Sequence, residues 1–139
     1  MAGKFEAQVA AWVKKSKALE EAVFRESVQR LVDLAQKPVA KGGNLPVKTG
    51  FLRASGRMTK DGSLPSITSA ERDPERSYSW EGGDISLILA SASISDTITF
   101  AYTANYARYV EHRSKFVGLA AQRWQQIVSE VCSEVKGRA

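Results

Sequence analysis

The sequence predicts an α+β fold: a long N-terminal helix and a C-terminal helix packed on one face of a small antiparallel β-sheet, with a long projecting loop. Apolar residues recur every three or four positions near both ends of the chain, which predicts amphipathic helices. Between them lie two short runs rich in β-branched residues and one long polar stretch. The chain has 139 residues, 43% of them apolar and 25% charged, which fits one globular domain over residues 1–139.

The N-terminal helix is predicted to run from Lys4 to Gln36. Its apolar stripe consists of Phe5, Val9, Trp12, Val13, Leu19, Val23, Phe24, Val28, Leu31, Val32 and Ala35. Such a helix spans about 50 Å at 1.5 Å per residue, which is more than a small domain needs to cover its own core. We therefore expect part of its face, including Trp12, to contact another subunit. Pro38 ends the helix, and the glycines that follow supply a turn.

The C-terminal helix is predicted to begin at Phe116 and to stop at Gly137. Its apolar stripe continues through Ala120, Trp124, Ile127, Val131 and Val135. Phe116 and the tryptophans of the two helices are expected to be core or interface anchors.

The β-sheet is predicted from two runs, Ile85 to Ser91 and Thr97 to Thr103, joined by a short polar segment as an antiparallel hairpin. In the second run Ile98, Phe100 and Tyr102 alternate with smaller or polar residues, which is typical of a sheet with one covered face. We expect a helix to cover that face.

Residues 56–84 are polar and contain several glycines and prolines, so they are predicted to form a long loop or arm. A strand from about Leu64 to Ala70 is compatible with this stretch. Trp80 stands in polar surroundings that give it no core partner, and we interpret it as a candidate docking residue.

The charge and the rare residues exclude several classes of protein. The net charge is +5, but basic and acidic residues alternate without a long basic run, so basicity alone is weak support for nucleic-acid binding. One cysteine, Cys132, and one histidine, His112, supply neither an internal disulfide nor a zinc cluster. No apolar stretch reaches the roughly 18 residues of a membrane span, and the N-terminus lacks the apolar centre of a signal peptide. We expect a soluble protein made in a cytoplasm, without a membrane partner.

The stretch "GGNLPVKTGFLRASG", residues 42–56, has the glycines and the Lys-Thr of a phosphate-binding loop. Such a loop requires a strand and then two glycines at fixed spacing before the Lys, so that consecutive backbone N–H groups face the phosphates. Here Pro46 and Val47 precede Lys48, proline has no N–H, and the segment ahead is the end of a helix. The sequence therefore argues against nucleotide binding, and no cofactor is expected.

We interpret this stretch as a structural clip formed by Pro46, Thr49, Gly50, Leu52, Arg53 and Ser55. The proline stiffens the chain, the threonine caps the first turn of a short helix, and the glycine permits close backbone approach. The leucine then anchors the turn in the core, and the arginine and the serine make polar contacts.

A second segment, "NYARYVEHR", spans Asn105 to Arg113. Glu111 and His112 are not interpreted as an acid–base pair, because adjacent residues on a helical turn point apart and no nucleophile is placed near them. Tyr106, Tyr109 and Val110 share one face of a short helical turn. Core or subunit packing is their expected role, and base stacking is the alternative.

Both segments resemble motifs of one protein family. "PVKTGFLRASG" is similar to the Pro-x-x-Thr-Gly-x-Leu-Arg-x-Ser signature of the head–tail joining and tail-completion proteins of long-tailed bacteriophages, often labelled minor tail or neck proteins. The second segment resembles that family's Tyr-Ala-x-Tyr-Val-Glu motif through Tyr106, Ala107, Tyr109, Val110 and Glu111. The sequence departs from the family directly afterwards, where an aromatic residue and a glycine are usual and His-Arg stands here.

The resemblance implies a structural virion protein without a reaction or cofactor. Such proteins form a ring, commonly six-fold, at the junction between the portal-bearing head and the tail tube, and they complete the tail. Neighbouring neck and tail proteins are the implied partners, and DNA passes through the lumen without being read. The implied location is the virion, after assembly in the host bacterial cytoplasm. Adaptor, stopper and terminator rings all remain open.

Two rival functions are weighed against this interpretation. A basic nucleic-acid-binding module is the alternative if its arginines converge on one surface; the candidates are Arg25, Arg30, Arg53, Arg57, Arg108 and Arg113. A small enzyme is disfavoured, because the sequence presents no legible acid–base or nucleophile constellation.

The two family-like motifs are expected to meet in space. We predict that Arg53 lies close to Glu111, joined by charge-assisted hydrogen bonds, with Leu52 and Tyr106 packed beneath them. The alternative is that both side chains are solvated or face a neighbouring subunit.

Overall fold

The computed structural model describes residues 2–67, 75–80 and 82–138, and within these ranges the chain is an α+β domain. It has a long N-terminal helix, a C-terminal helix and a small two-stranded antiparallel sheet, which confirms the predicted fold class. The helices are α1 (Ala2–Ala35), α2 (Phe51–Ala54), α3 (Gly83–Ser91), α4 (Ala107–Ser114), α5 (Phe116–Ala121) and α6 (Trp124–Arg138), and the strands are β1 (Gly56–Thr59) and β2 (Thr99–Tyr102).

α1 is an unbroken helix of 34 residues, as its apolar periodicity predicts. Its buried positions begin at Ser27, whereas every side chain from residue 3 to residue 15 is exposed. After α1 the chain reverses through a 3-10 turn, Val39–Lys41. Gly43 is required in this turn, because a Cβ placed on it would lie 2.0 Å from the carbonyl oxygen of Lys37.

The sheet differs from the predicted hairpin in its pairing. β2 lies within the predicted second run, but its partner is β1, in an antiparallel register from Gly56↔Tyr102 to Thr59↔Thr99. β1 falls in the stretch that was expected to be loop, so that expectation is wrong for its first residues. A four-residue strand that begins with glycine has too little alternation to be recognised from sequence.

The predicted first strand, Ile85 to Ser91, is wrong: these residues belong to α3. Ile85 and Leu89 are buried while Leu87 between them is 73% exposed, whereas in a strand all three would share one face. The spacing of four between the buried residues is that of a helix. An apolar run this short does not distinguish a strand from a buried helix by its pattern alone.

The predicted C-terminal helix consists of two helices, α5 and α6. Between them the N–H of Arg123 donates to the carbonyl oxygen of Ala120 at 3.0 Å, a tightened turn that interrupts the regular α pattern. α6 runs antiparallel to α1, because Glu134 pairs with Arg30 and Arg138 pairs with Glu26. The apolar stripe of α6 packs against the same region of α1.

The stretch predicted as a long projecting loop lies partly against the domain. The N–H of Tyr78 donates to the carbonyl oxygen of Thr49 at 2.8 Å, and Trp80 packs against a buried apolar cluster. Of the strand expected from about Leu64 to Ala70, residues 64–67 adopt no strand and residues 68–70 lie outside the described residues. Within the described ranges, none of the helices combines the length and the apolar character needed to cross a membrane.

Candidate functional site

The two family-like segments lie against each other in one corner of the domain, which we call the motif corner (residues 46–55 and 105–113). Leu52 from the first segment and Val110 from the second belong to one buried cluster, with Leu45, Ala104 and Phe116. Phe51 and Tyr106 pack against this cluster, with their ring centroids 6.0 Å apart. The expected packing of Leu52 and Tyr106 is therefore present.

The clip begins with a tight turn at Gly50. Its φ is 88°, and a Cβ there would lie 2.2 Å from the carbonyl oxygen of Tyr78, so a side chain is excluded on both grounds. The hydroxyl of Thr49 accepts a hydrogen bond from the N–H of Phe51 at 3.3 Å, at the first turn of α2. Leu52, only 5% exposed, anchors that turn in the core.

Arg53 is held by the end of α1. Its Nε donates to the carbonyl oxygen of Gln36 at 2.9 Å, and its guanidinium lies 5.3 Å from the ring centroid of Trp80. The side chain of Gln36 donates from Nε2 to the carbonyl oxygen of Arg53 at 2.9 Å and accepts at Oε1 from the hydroxyl of Tyr102 at 2.8 Å. Gln36 therefore joins α1, α2 and β2 through a side chain that is 1% exposed.

Sequence reasoning missed this role of Gln36 and treated the residue only as the end of a helix. A signal was present, because Gln36 follows Val32 by four positions and so continues the buried face of α1. A polar residue on a buried helical face indicates a hydrogen-bonded partner, although its identity is not readable from the chain.

Ser55 connects the clip to the end of β2. Its hydroxyl donates to the carbonyl oxygen of Leu52 at 2.6 Å, which closes α2. Its own carbonyl oxygen accepts from the N–H of Thr103 at 3.1 Å and from the Thr103 hydroxyl at 2.8 Å. The clip is thus fixed to the strand that precedes the second motif.

Glu111 caps the helix that follows it. Its Oε2 accepts from the N–H of Val117 at 2.8 Å and its Oε1 from the N–H of Gly118 at 3.0 Å, two donors that α5 itself leaves unsatisfied. The chain between them turns at Lys115, whose φ is 52°. A carboxylate at a helix N-terminus is also favoured by the helix dipole.

The expected hydrogen bonds between Arg53 and Glu111 are therefore wrong within this chain. The described ion pairs do not include this pair, since Arg53 is bound to Gln36 and Glu111 to α5. Both charges nevertheless act on Tyr102. Burial has the largest effect and raises the pKa of the Tyr102 phenol. The charge of Arg53 lowers this pKa, and the charge of Glu111 raises it to a smaller extent.

The remaining residues of the second motif divide between core and surface. Val110 is buried and Tyr106 and Ala107 are half-buried, whereas Tyr109 is 64% exposed and lies beside the guanidinium of Arg108, with 5.7 Å between that group and the ring centroid. Tyr106 and Tyr109 therefore do not share one buried face.

A cleft of about 390 Å³ opens between the two motifs. It is lined by Pro46, Lys48, Thr49, Gly50, Phe51, Leu52, Tyr106, Val110, Arg113 and Ser114. This lining combines an aromatic wall with two cations, Lys48 and Arg113, and it contains no carboxylate, imidazole or thiol. In the described part of the chain, no group of three His, Cys, Asp or Glu residues is placed to hold a metal ion. The cleft can therefore contact an apolar or acidic surface.

Three aromatic residues were candidates for an interface. Trp12 is 68% exposed on the free half of α1 and is available for contact. Trp80 is half-buried between Arg53 and the core. Phe116 is 1% exposed and packs edge-on against Tyr102, with ring centroids 4.8 Å apart, so it belongs to the core and the interface expectation for it is wrong.

The arginines considered for nucleic-acid binding are held at separate places. Arg25 donates to the carbonyl oxygen of Ala92 and Arg57 to that of Ala54, at 2.8 and 2.7 Å. Arg30 pairs with a carboxylate of α6, and Arg53 is bound to the end of α1. Arg108 and Arg113 remain exposed on α4. The six arginines do not form one basic surface.

Comparisons of the chain with models of protein families, with curated proteins and with solved structures give no match.

Proposed function

We propose that this protein is a structural virion protein that forms a ring at the head–tail junction of a long-tailed phage, completing the tail and joining it to the portal-bearing head. The proposal extends the family resemblance of the two motifs. It places the protein in the virion after assembly in the host cytoplasm, with itself and the adjacent neck and tail proteins as partners.

The observation that carries the proposal is the uncovered half of α1. Phe5, Val9, Trp12 and Val13 lie on one face of the helix, and their side chains are between 44% and 68% exposed. Contiguous apolar surface of this kind on a soluble domain marks a contact with another protein. A subunit of a ring needs such a surface, because each copy must bind its neighbours.

The motif corner supports a structural role as well. Arg53, Ser55 and Glu111 direct their polar groups at backbone atoms of the same chain, and these bonds fix the ends of α1, α2, α5 and β2. Polar side chains that bond the backbone of their own chain stabilise the fold rather than bind a substrate. The cleft beside them offers Lys48 and Arg113 to an acidic neighbour.

Native mass spectrometry and electron microscopy of the purified chain and of assembled particles test the proposal. We expect a closed ring, six-fold as in the resembled family, whose position in the particle is the neck. Monomers alone, both in solution and in assembled particles, would contradict it.

A further inference from the structure

A second apolar surface lies directly beside the uncovered half of α1. It is a groove of about 420 Å³ between α1 and α6, whose lining includes Glu20 of α1 and Lys136 of α6. Its walls include Leu19, Val23, Phe24, Trp124, Val128 and Cys132, side chains that are half-buried in one copy of the chain. We define the arm as residues 4–18 of α1 and the groove as this surface.

We propose that the arm of one copy docks in the groove of a second copy. The arm supplies a helical stripe with anchors at Phe5, Val9, Trp12 and Val13, which is the pattern of a helix bound in an apolar groove. This inference adds to the ring proposal by identifying the contact between two copies. Only the closure of such contacts into a ring rests on the proposed function.

The arm cannot fill the groove of its own chain. Leu19 and Val23, which form one wall, belong to the same unbroken helix as the arm, so the arm leads away from the groove along a common axis. Folding it back would require breaking the helix between them. α6 packs against α1 as far as Leu19, whereas every side chain from residue 3 to residue 15 is exposed. The arm and the groove are therefore both open to another copy.

The two surfaces agree in length. Phe5 to Val13 spans about 12 Å at 1.5 Å per residue, and Leu19 to Ser27 on the α1 wall spans about 12 Å by the same measure. A helix of two to three turns can therefore lie in the groove with all four anchors in contact.

The charged residues that border the arm are partly complementary to those of the groove. With 3.6 residues per turn, Lys4 and Lys15 border the apolar stripe of the arm on one side, and Glu6 and Lys17 border it on the other. An arm laid with Lys4 and Lys15 toward Glu20 brings Glu6, beside Lys17, to the side of Lys136.

Docking of this kind joins different surfaces of the two copies, because each copy contributes one arm and one groove. If each copy docks its arm in the next copy, the contacts can close into a ring. If two copies exchange their arms, they form a closed dimer. In both cases the apolar face of the arm leaves water.

Disulfide formation with the natural thiol in the groove tests the contact. Cys132 is the single cysteine of the chain, so Phe5→Cys, Val9→Cys and Val13→Cys each create one possible partner for it on the arm. Under mild oxidation we expect covalent dimers and higher species from at least one of these variants. Ala7→Cys, on the opposite face of the same exposed helix, is the matched control and should remain monomeric on a denaturing gel.

Adding Cys132→Ser to each arm variant identifies the partner. Loss of the cross-link in the double variants supports docking in the groove. A cross-link that persists without Cys132 means that two arms pair with each other, which overturns the inference, and so does the absence of any cross-link at all three positions. Native mass spectrometry distinguishes the docking of the arm from the formation of a ring. Cross-linked reciprocal pairs contradict the ring proposal but support the docking. Rings that form without cross-links contradict the docking.

Discussion

Gln36 shows how one side chain determines the geometry of the motif corner. It directly follows the last residue of α1, and its side-chain amide bonds the backbone of α2 on one side and the phenol of Tyr102 on the other. The residues of the clip were recognisable in the sequence because their types match the turn chemistry of a short capped helix. The hydrogen-bond partners of these residues were not recognisable in the sequence, because contacts such as that of Gln36 with Tyr102 join residues 66 positions apart.

Gln36→Ala should destabilise the domain by about 1–3 kcal/mol, because it leaves the partly buried carbonyl oxygen of Arg53 and the partly buried hydroxyl of Tyr102 without their partner. Urea unfolding measures this as a lower midpoint at unchanged slope. Gln29→Ala is the matched control: its amide bonds only the exposed carboxylate of Asp33, and its effect should stay within about 0.5 kcal/mol. Equal effects of the two substitutions would contradict the role of Gln36.

Because Tyr102 has a raised pKa, we expect the domain to lose stability at alkaline pH. Burial raises the pKa of its phenol above the ordinary value of 10.0. The folded state therefore keeps a proton that the unfolded state releases, so this stabilisation is complete below pH 10 and declines as the pH rises further. Unfolding measured from pH 8 to pH 11 should show the decline.

Tyr102→Phe is the control for this dependence. It should be less stable at neutral pH, because Gln36 loses a donor, but its decline above pH 10 should be shallower. A slope identical to that of the unchanged protein would show that another group is responsible.

At the scale of elements, α1 joins two parts with different roles. Its C-terminal part, from Ser27 onward, contains the buried positions, and its arm carries apolar side chains that no described residue covers. The periodicity of the sequence predicted one amphipathic helix throughout, because the apolar stripe is continuous. Periodicity indicates which face is apolar, but it does not indicate which length of that face is covered within the chain.

Trp12→Ala and Phe116→Ala separate these two roles. Trp12→Ala should change the free energy of unfolding of the monomer by less than about 0.5 kcal/mol, because its side chain is 68% exposed, but it should weaken association. Phe116→Ala should cost about 3–5 kcal/mol, since that ring is 1% exposed in the core.

Unfolding at a dilution that gives monomers, together with sedimentation velocity at higher concentration, measures both effects. If Trp12→Ala leaves the sedimentation coefficient unchanged over the whole concentration range, the arm is not the association surface.

Other elements were predictable only in part, for physical reasons. Ile85–Ser91 carries apolar residues at nearly every position, so strand and helix patterns fit it equally until Ile85 and Leu89 meet the core. β1 exists because β2 pairs with it, from Gly56↔Tyr102 to Thr59↔Thr99, and no local sequence pattern contains a contact of such long range. The break between α5 and α6 lies in a stripe whose apolar spacing runs on without interruption.

At the scale of the whole molecule, the contacts of the arginines determine whether the basic net charge can serve nucleic-acid binding. The net charge of +5 suggested a polyanion partner as the alternative function. Four of the six candidate arginines are engaged by acceptors of the same chain, which lie on α6, directly after α1, in the clip and in the turn after α3. Arg108 and Arg113 on α4 and Lys48 at the cleft are exposed.

Binding to DNA should therefore be weak and without preference for sequence or strand. Each phosphate neutralised on duplex DNA lowers the logarithm of the association constant by about 0.9 per tenfold rise in salt. Because the six candidate arginines do not form one basic surface, the slope per copy should be small, and binding should be lost at moderate salt.

Fluorescence anisotropy with several duplexes and single strands, titrated with salt, measures this. Arg108→Ala with Arg113→Ala should reduce the residual binding equally for every DNA, because contacts to phosphates carry no sequence information. A ring that conducts DNA needs this behaviour, since a lumen that held particular bases would impede their passage. A preference among these DNAs that survives at moderate salt would instead favour the nucleic-acid-binding module over the neck ring.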